Sequence, residues 1–196
     1  MPDVIVTNDA PLRLDLASGQ VPRPGFKGVD LFTGDFRVDL LAFPWPWEDN
    51  SVDEVVCSHF VEHIPMGFID DHDVVHALPG VGRKDLFLAF FDELWRVLKP
   101  GGKAEIVVPY LMSHRAFQDP THRRFICEAS FSYLMKPWRD ANKLDHYNVT
   151  CDFVAEACIP VTDPVEGARV PEVQAARRQH MWNVVHDMVI VLRKPA

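Results

Sequence analysis

"FFDELWRVLKPGGKAEIVVPY", residues 90–110, is the stretch from which the rest of the chain can be placed. Upstream to Lys84, in "KDLFLAFFDELWRVLK" (84–99), apolar residues recur at three- and four-residue spacing and form one broad stripe. That is an amphipathic helix, and "KPGG" stops it. "KAEIVVPY" (103–110) then reads as a strand. A helix delivered through a Pro/Gly stop into a β-branched strand is one step of an alternating α/β chain.

The same alternation extends outward. "VDEVVCSH" (52–59) reads as a buried strand, and "FVEHI" after it has room for about a turn and a half of helix before Pro65. Three short strands come earlier: "LRLDLA" (12–17), "KGVDLF" (27–32) and "FRVDLL" (36–41). The connector "QVPRPGF" (20–26) is no helix, because Pro22 and Pro24 lack donors and Gly25 breaks the pattern. "PWPWEDNS" (44–51) is a rigid turn segment. Downstream, a helix is expected over 128–136 and another over 171–182, with 148–157 and 183–192 as a closing antiparallel pair. Segment 66–83 has no period and reads as a loop insertion in a single domain, 1–196. The fold expected is α/β, an open twisted sheet, mostly parallel, with a reversed last strand.

Composition narrows the function classes. The chain has 196 residues, 47% of them hydrophobic, enough for one core. A net charge of −8 argues against bulk nucleic acid and against anionic membrane surfaces as partners. No apolar run reaches the ~20 residues of a membrane span. The start "MPDVIVTNDAP" lacks the basic and apolar regions of a signal peptide. Four cysteines without a C-x-x-C pair suit reduced thiols, so a cytoplasmic location is expected. The apolar closing strands and Met181–Trp182 are compatible with a homodimer.

Open α/β sheets bind ligands outside the carboxyl ends of their strands, where strand order reverses. Asp15 to Gly19, Asp30, Asp39, Ser58 and His59 all fall at such ends. There the sequence resembles the class I S-adenosylmethionine-dependent methyltransferases, which have a Rossmann-like sheet. "LRLDLASG" resembles their glycine-rich first motif and "GVDL" their second. "LAFPWPWEDNSVDEVVCSHFVEHI" (41–64) is similar to the segment leading through strand four, and residues 90–110 to the helix, turn and fifth strand.

The resemblance implies S-adenosyl-L-methionine as cofactor and methyl transfer to an unidentified acceptor, a small molecule or a locally presented group. It implies a pocket of Asp15, Ala17, Ser18, Gly19, Asp30, Leu31, Asp39, Leu40 and Ser58. Asp30 would accept the ribose hydroxyls, and Asp39 or nearby backbone would meet the adenine amine. Phe43 or Trp45 would lie against the adenine, and Asp15 or backbone near Gly19 would face the amino-acid end. Two departures stand out. Ala17 replaces the usual first glycine, and only ten residues separate Gly19 from Asp30, too few for the helix that ordinarily joins strands one and two.

"HFVEH" (59–63) also matches H-x-x-E-H, an inverted zinc-protease pattern. Its short run from a strand end to Pro65 is poor support for a ligand helix, so no metal is expected and a zinc hydrolase stays a remote alternative. "DDHDVVH" (70–76) reads as a solvated acidic loop. "YLMSHRAFQDPTHRRF" (110–125) follows strand five and hangs over the acceptor side. His59, Asp119 and His122 are the acceptor-side candidates, with a histidine suited to proton acceptance near neutral pH. The nearer alternative is a non-catalytic binding module on the same fold.

Overall fold

The computed structural model describes residues 10–69, 75–76 and 84–196. In chain order the strands are β1 (Arg13–Leu16), β2 (Lys27–Asp30), β3 (Phe36–Arg37), β4 (Val52–Ser58), β5 (Phe68–Ile69), β6 (Val75–His76), β7 (Lys84–Asp85), β8 (Leu98–Pro109), β9 (Val154–Val161) and β10 (Asp187–Arg193). The helices are α1 (Leu86–Val97), α2 (Arg115–Gln118), α3 (Lys136–Ala141), α4 (Pro164–Gly167) and α5 (Pro171–His180). Seven strands form the main sheet in the order β3-β2-β1-β4-β8-β10-β9. β10 runs antiparallel to both neighbours and every other pairing is parallel. Strand order reverses between β1 and β4, which makes their carboxyl ends the expected ligand crevice.

α1 begins where Asp85 accepts a hydrogen bond from the Phe87 N–H at 2.9 Å, an N-cap. Its stripe of Leu86, Phe90, Phe91, Leu94 and Val97 is at most 2% exposed and lies against one face of the sheet. That face presents Leu14, Leu16, Val55, Cys57, Ile106 and Leu192, all equally buried. Each such side chain contributes about 1.5–3 kcal/mol of burial. Trp45 and Trp47 extend this layer: Trp45 meets Phe90 edge-on at 5.4 Å between centroids, and Trp47 meets Phe36 at 5.8 Å. Trp45 is therefore a core residue, 3% exposed, and is not available to stack on an adenine.

The opposite face alternates out of register with the core. Arg13, Glu54, Lys103 and Arg193 are direct cross-strand neighbours there, a row of alternating sign apart from its last pair. Part of this face is closed by the connector from β1 to β2, which is irregular, as its prolines require. The Arg23 N–H donates to Asp15 at 2.7 Å and its guanidinium to Glu105 at 2.7 Å. A Cβ on Gly28 would stand 2.8 Å from Ser18 Oγ and 3.2 Å from Pro22 Cβ, so glycine lets the connector lie flat on β2.

Several elements differ from their sequence-based expectation, β8 already starting at Leu98 ahead of the expected 103 and β10 at Asp187 after the expected 183. β3 keeps two residues of the six expected, because Asp39 turns the chain by accepting the Leu41 N–H. "FVEHI" forms one 3-10 turn, Val61–His63. Residues 128–134 are 3-10 as well, with α3 following. The strand expected over 148–157 begins at Val154, since Thr150 and Cys151 give their N–H groups to the Asp92 carboxylate instead of a neighbouring strand. Within the expected insertion, β5 pairs with β6 and with β7 in a small antiparallel sheet, and most of "DDHDVVH" lies outside the described residues. No described helix is long and apolar enough to cross a membrane.

Candidate active site

The turn after β1 is built on left-handed backbone. Ala17 has φ +56° and Gly19 φ +58°, a region that costs a side-chain-bearing residue roughly 1–2 kcal/mol. That explains the glycine at 19 and leaves Ala17 strained. Asp30, at the tip of β2, ties this turn down: it accepts from the Gly19 N–H at 3.2 Å, the Phe32 N–H at 2.9 Å and the Thr33 N–H at 3.3 Å. Thr33 Oγ1 closes the ring by donating to the Gly19 carbonyl at 2.6 Å. The Phe32 N–H in particular holds the Asp30 carboxyl below the usual aspartate range, with the Gly19 and Thr33 N–H groups adding to it against the cost of burial.

This places Ala17, Ser18, Gly19 and Asp30 in one bonded unit at the switch point. Asp15 stands beside them, 8% exposed, with one oxygen taken by the Arg23 N–H. Leu31 and Phe32 form an exposed apolar lip, 52% and 77% accessible, of which Phe32 was not among the sequence candidates. Asp39 is occupied in its own turn with Leu41. The Leu40 side chain is buried at 4% and its carbonyl accepts from Trp45 Nε1, so its side chain serves the core and not a pocket wall. Ser58 ends β4, exposed, directly opposite Val107.

A second cluster stands at the β4 exit. His59 is also left-handed, at φ +54°, strained backbone that its N–H bond to Val107 O (2.9 Å) helps to hold. Its Nδ1 is 3.3 Å from Glu62 Oε1, and this carboxylate raises the imidazole above its ordinary value against partial burial. Glu62 itself is 1% exposed. His122, with its side chain 7% exposed, points Nε2 at Glu62 Oε1 from 4.0 Å. The rings of His63 and His122 meet edge-on, centroids 4.6 Å apart. The Arg123 and Arg124 N–H groups both donate to the Glu62 carbonyl, at 2.8 and 3.0 Å, and clamp segment 110–125 to the strand exit.

Asp119 is in the same neighbourhood with a different task. Its Oδ1 accepts from the Thr121 N–H at 2.8 Å and Thr121 Oγ1 at 2.7 Å, so it holds the turn that presents His122. The structure thus joins His59 and His122 through Glu62 and leaves Asp119 one step behind them. Next to this cluster, Phe87, Phe125, Tyr133 and Tyr147 wall a cavity of about 400 Å³ with Arg124 and Asp85 at its polar side. Burial pushes the Cys57 thiol far up, which removes it as a nucleophile.

No family model and no curated protein matches the chain. Solved structures match by fold. A SAM-dependent methyltransferase from Archaeoglobus fulgidus aligns with TM-score 0.55 at 16% identity, over 95% of this chain and 87% of its own. A putative methyltransferase from Haloferax volcanii, solved with the Trm112 methyltransferase activator, gives 0.53 at 15%, over 95% and 83%. The cyclase SpnF gives 0.50 at 13%, over 96% and 76%. The fold is that of the class I S-adenosylmethionine-dependent methyltransferases, the one the motifs at the strand ends resemble. At these identities the likeness fixes architecture, and the function has to be argued from the site.

Proposed function

We propose that the chain is an S-adenosyl-L-methionine-dependent methyltransferase. The observation that carries this is the Ala17–Gly19 turn, two of its three residues left-handed, bonded to Asp30 at the switch point. The residues fit the cofactor: open space adjoins Gly19 where a side chain would stand, and Leu31 and Phe32 give an apolar lip. Asp30 already accepts three N–H groups, yet a carboxylate offers about four lone-pair sites, so it can still take a hydroxyl. The cofactor would supply a methyl group on a sulfonium, already electrophilic.

The chain's own part is then alignment and proton management. The turn and Asp30 orient one partner, and segment 110–125 presents His122 on the acceptor side. His59, beside Glu62, is the proton acceptor we assign for an acceptor that needs deprotonation, and Asp119 positions His122 across from it. The acceptor is a small molecule or a locally presented group. A second copy of the chain, or an activator such as the Haloferax volcanii neighbour carries, is the partner we would look for.

A second reading, a binding module without turnover, is favoured by one fact: Asp30 is committed to bracing its own turn. Calorimetric titration with S-adenosylmethionine and S-adenosylhomocysteine tests the first reading. One saturable site is expected, lost in Asp30→Ala. Absence of heat and of any thermal shift with both ligands would sink it. That same absence would favour the module, which keeps the fold without affinity for the cofactor.

A further inference from the structure

Glu62 presents an imbalance that the proposed methyl transfer does not resolve. Its side chain is 1% exposed, and neither carboxylate oxygen has a hydrogen-bond partner. An ionised carboxylate in that position is costly unless a cation or a proton compensates it. His59, when protonated, pairs with Glu62 Oε1 at 3.3 Å without meeting hydrogen-bond geometry, which leaves the second oxygen unanswered, and His122 Nε2 stops at 4.0 Å.

The neighbouring histidines are oriented by their other nitrogens. His122 Nδ1 is 3.0 Å from the Ala116 carbonyl, which can only accept. In the neutral ring Nδ1 therefore carries the proton and Nε2 a lone pair. His63 Nδ1 is 3.0 Å from Thr121 Oγ1, whose own proton goes to Asp119. Thr121 must accept from His63 Nδ1–H, which leaves Nε2 of His63 with a lone pair as well. Histidines pinned through one nitrogen by an oxygen acceptor, with the other free, are how proteins prepare metal ligands. One ligand atom each from Glu62, His63 and His122 lies within 4.8 Å of the other two.

We propose that Glu62, His63 and His122 bind a divalent transition-metal ion, with zinc the best match to two imidazoles and a carboxylate. Ligands on a tetrahedral ion at about 2.0–2.1 Å stand about 3.3 Å apart, so the 4.0 Å between Glu62 and His122 closes with a shift under 1 Å. Three protein ligands leave a coordination position open. The ligand set is not the one H-x-x-E-H suggests: the 3-10 turn replaces a ligand helix, and His122 takes the place of His59. Thr121 and the Ala116 carbonyl are the positioning groups, and the backbone bonds from Arg123 and Arg124 to Glu62 hold the two segments in register.

The test uses the full chain, stripped with a chelator and titrated with zinc chloride alone, followed by calorimetry and thermal unfolding. Uptake is expected to saturate at about one equivalent and to raise the unfolding midpoint. Glu62→Gln and His122→Ala should each weaken binding roughly a hundredfold or more, and Thr121→Val about tenfold. His180→Ala, on α5, should titrate as the parent chain does. Circular dichroism of the metal-free variants separates a lost ligand from a lost fold, and if Glu62→Gln misfolds the Thr121→Val titration still decides. No saturable uptake by the folded parent chain overturns the proposal. Uptake unchanged in His122→Ala and Thr121→Val overturns it as well.

Discussion

Ala17 holds a conformation that glycine adopts at no steric cost, at φ +56°. Replacing it with glycine relieves that strain, offset in part by the added unfolded-state entropy, so Ala17→Gly should stabilise the chain by about 0.5–1 kcal/mol. Thermal denaturation reads this directly; a drop in midpoint would mean the alanine methyl makes a contact that matters more than the strain. Asp30 makes a prediction against pH. Its folded-state pKa is depressed, so its contribution is present above the unfolded aspartate value and is lost as pH falls through the folded one. Asp30→Asn should therefore cost about 1 kcal/mol at neutral pH, discounted for partial exposure, and the gap from the parent should close in acid. A gap that stays constant from neutral pH to below the aspartate range would contradict this account.

At the scale of elements, what the sequence disclosed depended on how far away the deciding contact lay. β1, β2, β4, β8 and α1 follow from local period and local stops, and they carry the pocket at the switch point. The start of β9 does not, because it is decided by Asp92, 59 residues from Cys151. This carboxylate, 9% exposed, accepts from the Thr150 and Cys151 N–H groups at 3.0 and 2.7 Å and pairs with Lys84. It fastens α1 to the chain that enters β9. Asp92→Ala leaves two N–H groups of this entry segment without their acceptor and should destabilise the fold by about 3 kcal/mol, while Asp92→Asn, which keeps one acceptor oxygen, should cost about half as much. Urea denaturation of both variants checks the ratio; equal losses would show that charge, not acceptor number, is what Asp92 provides. The Glu62 cluster was hidden for the same reason. Glu62, His63 and His122 come from two segments that only the folded chain brings together, and the H-x-x-E-H spacing pointed to a local partner instead.

For the whole molecule, the unequal layering of the sheet is the feature with consequences. Met188, Ile190 and Leu192 of β10 are at most 2% exposed on the α1 side, whereas Val189 and Val191 on the opposite face are only half-buried. β9 goes further, with Val154, Ile159 and Val161 at 42, 51 and 38% exposure on the sheet edge, and α5 has no buried residue. Stability should be graded accordingly, since segments with few buried contacts open at low cost. Amide hydrogen exchange should find the slowest protons in β1, β4 and β8 and in α1, with α4 and α5 exchanging fastest and β9 ahead of β10. Slow exchange throughout β9 would contradict this for the isolated chain, and its concentration dependence gives the reason. Protection that rises with protein concentration would put a second copy on that exposed edge, the usual fate of an uncovered apolar strand. Slow exchange independent of concentration would mean instead that the chain's own contacts protect the edge, and the layering argument would fail.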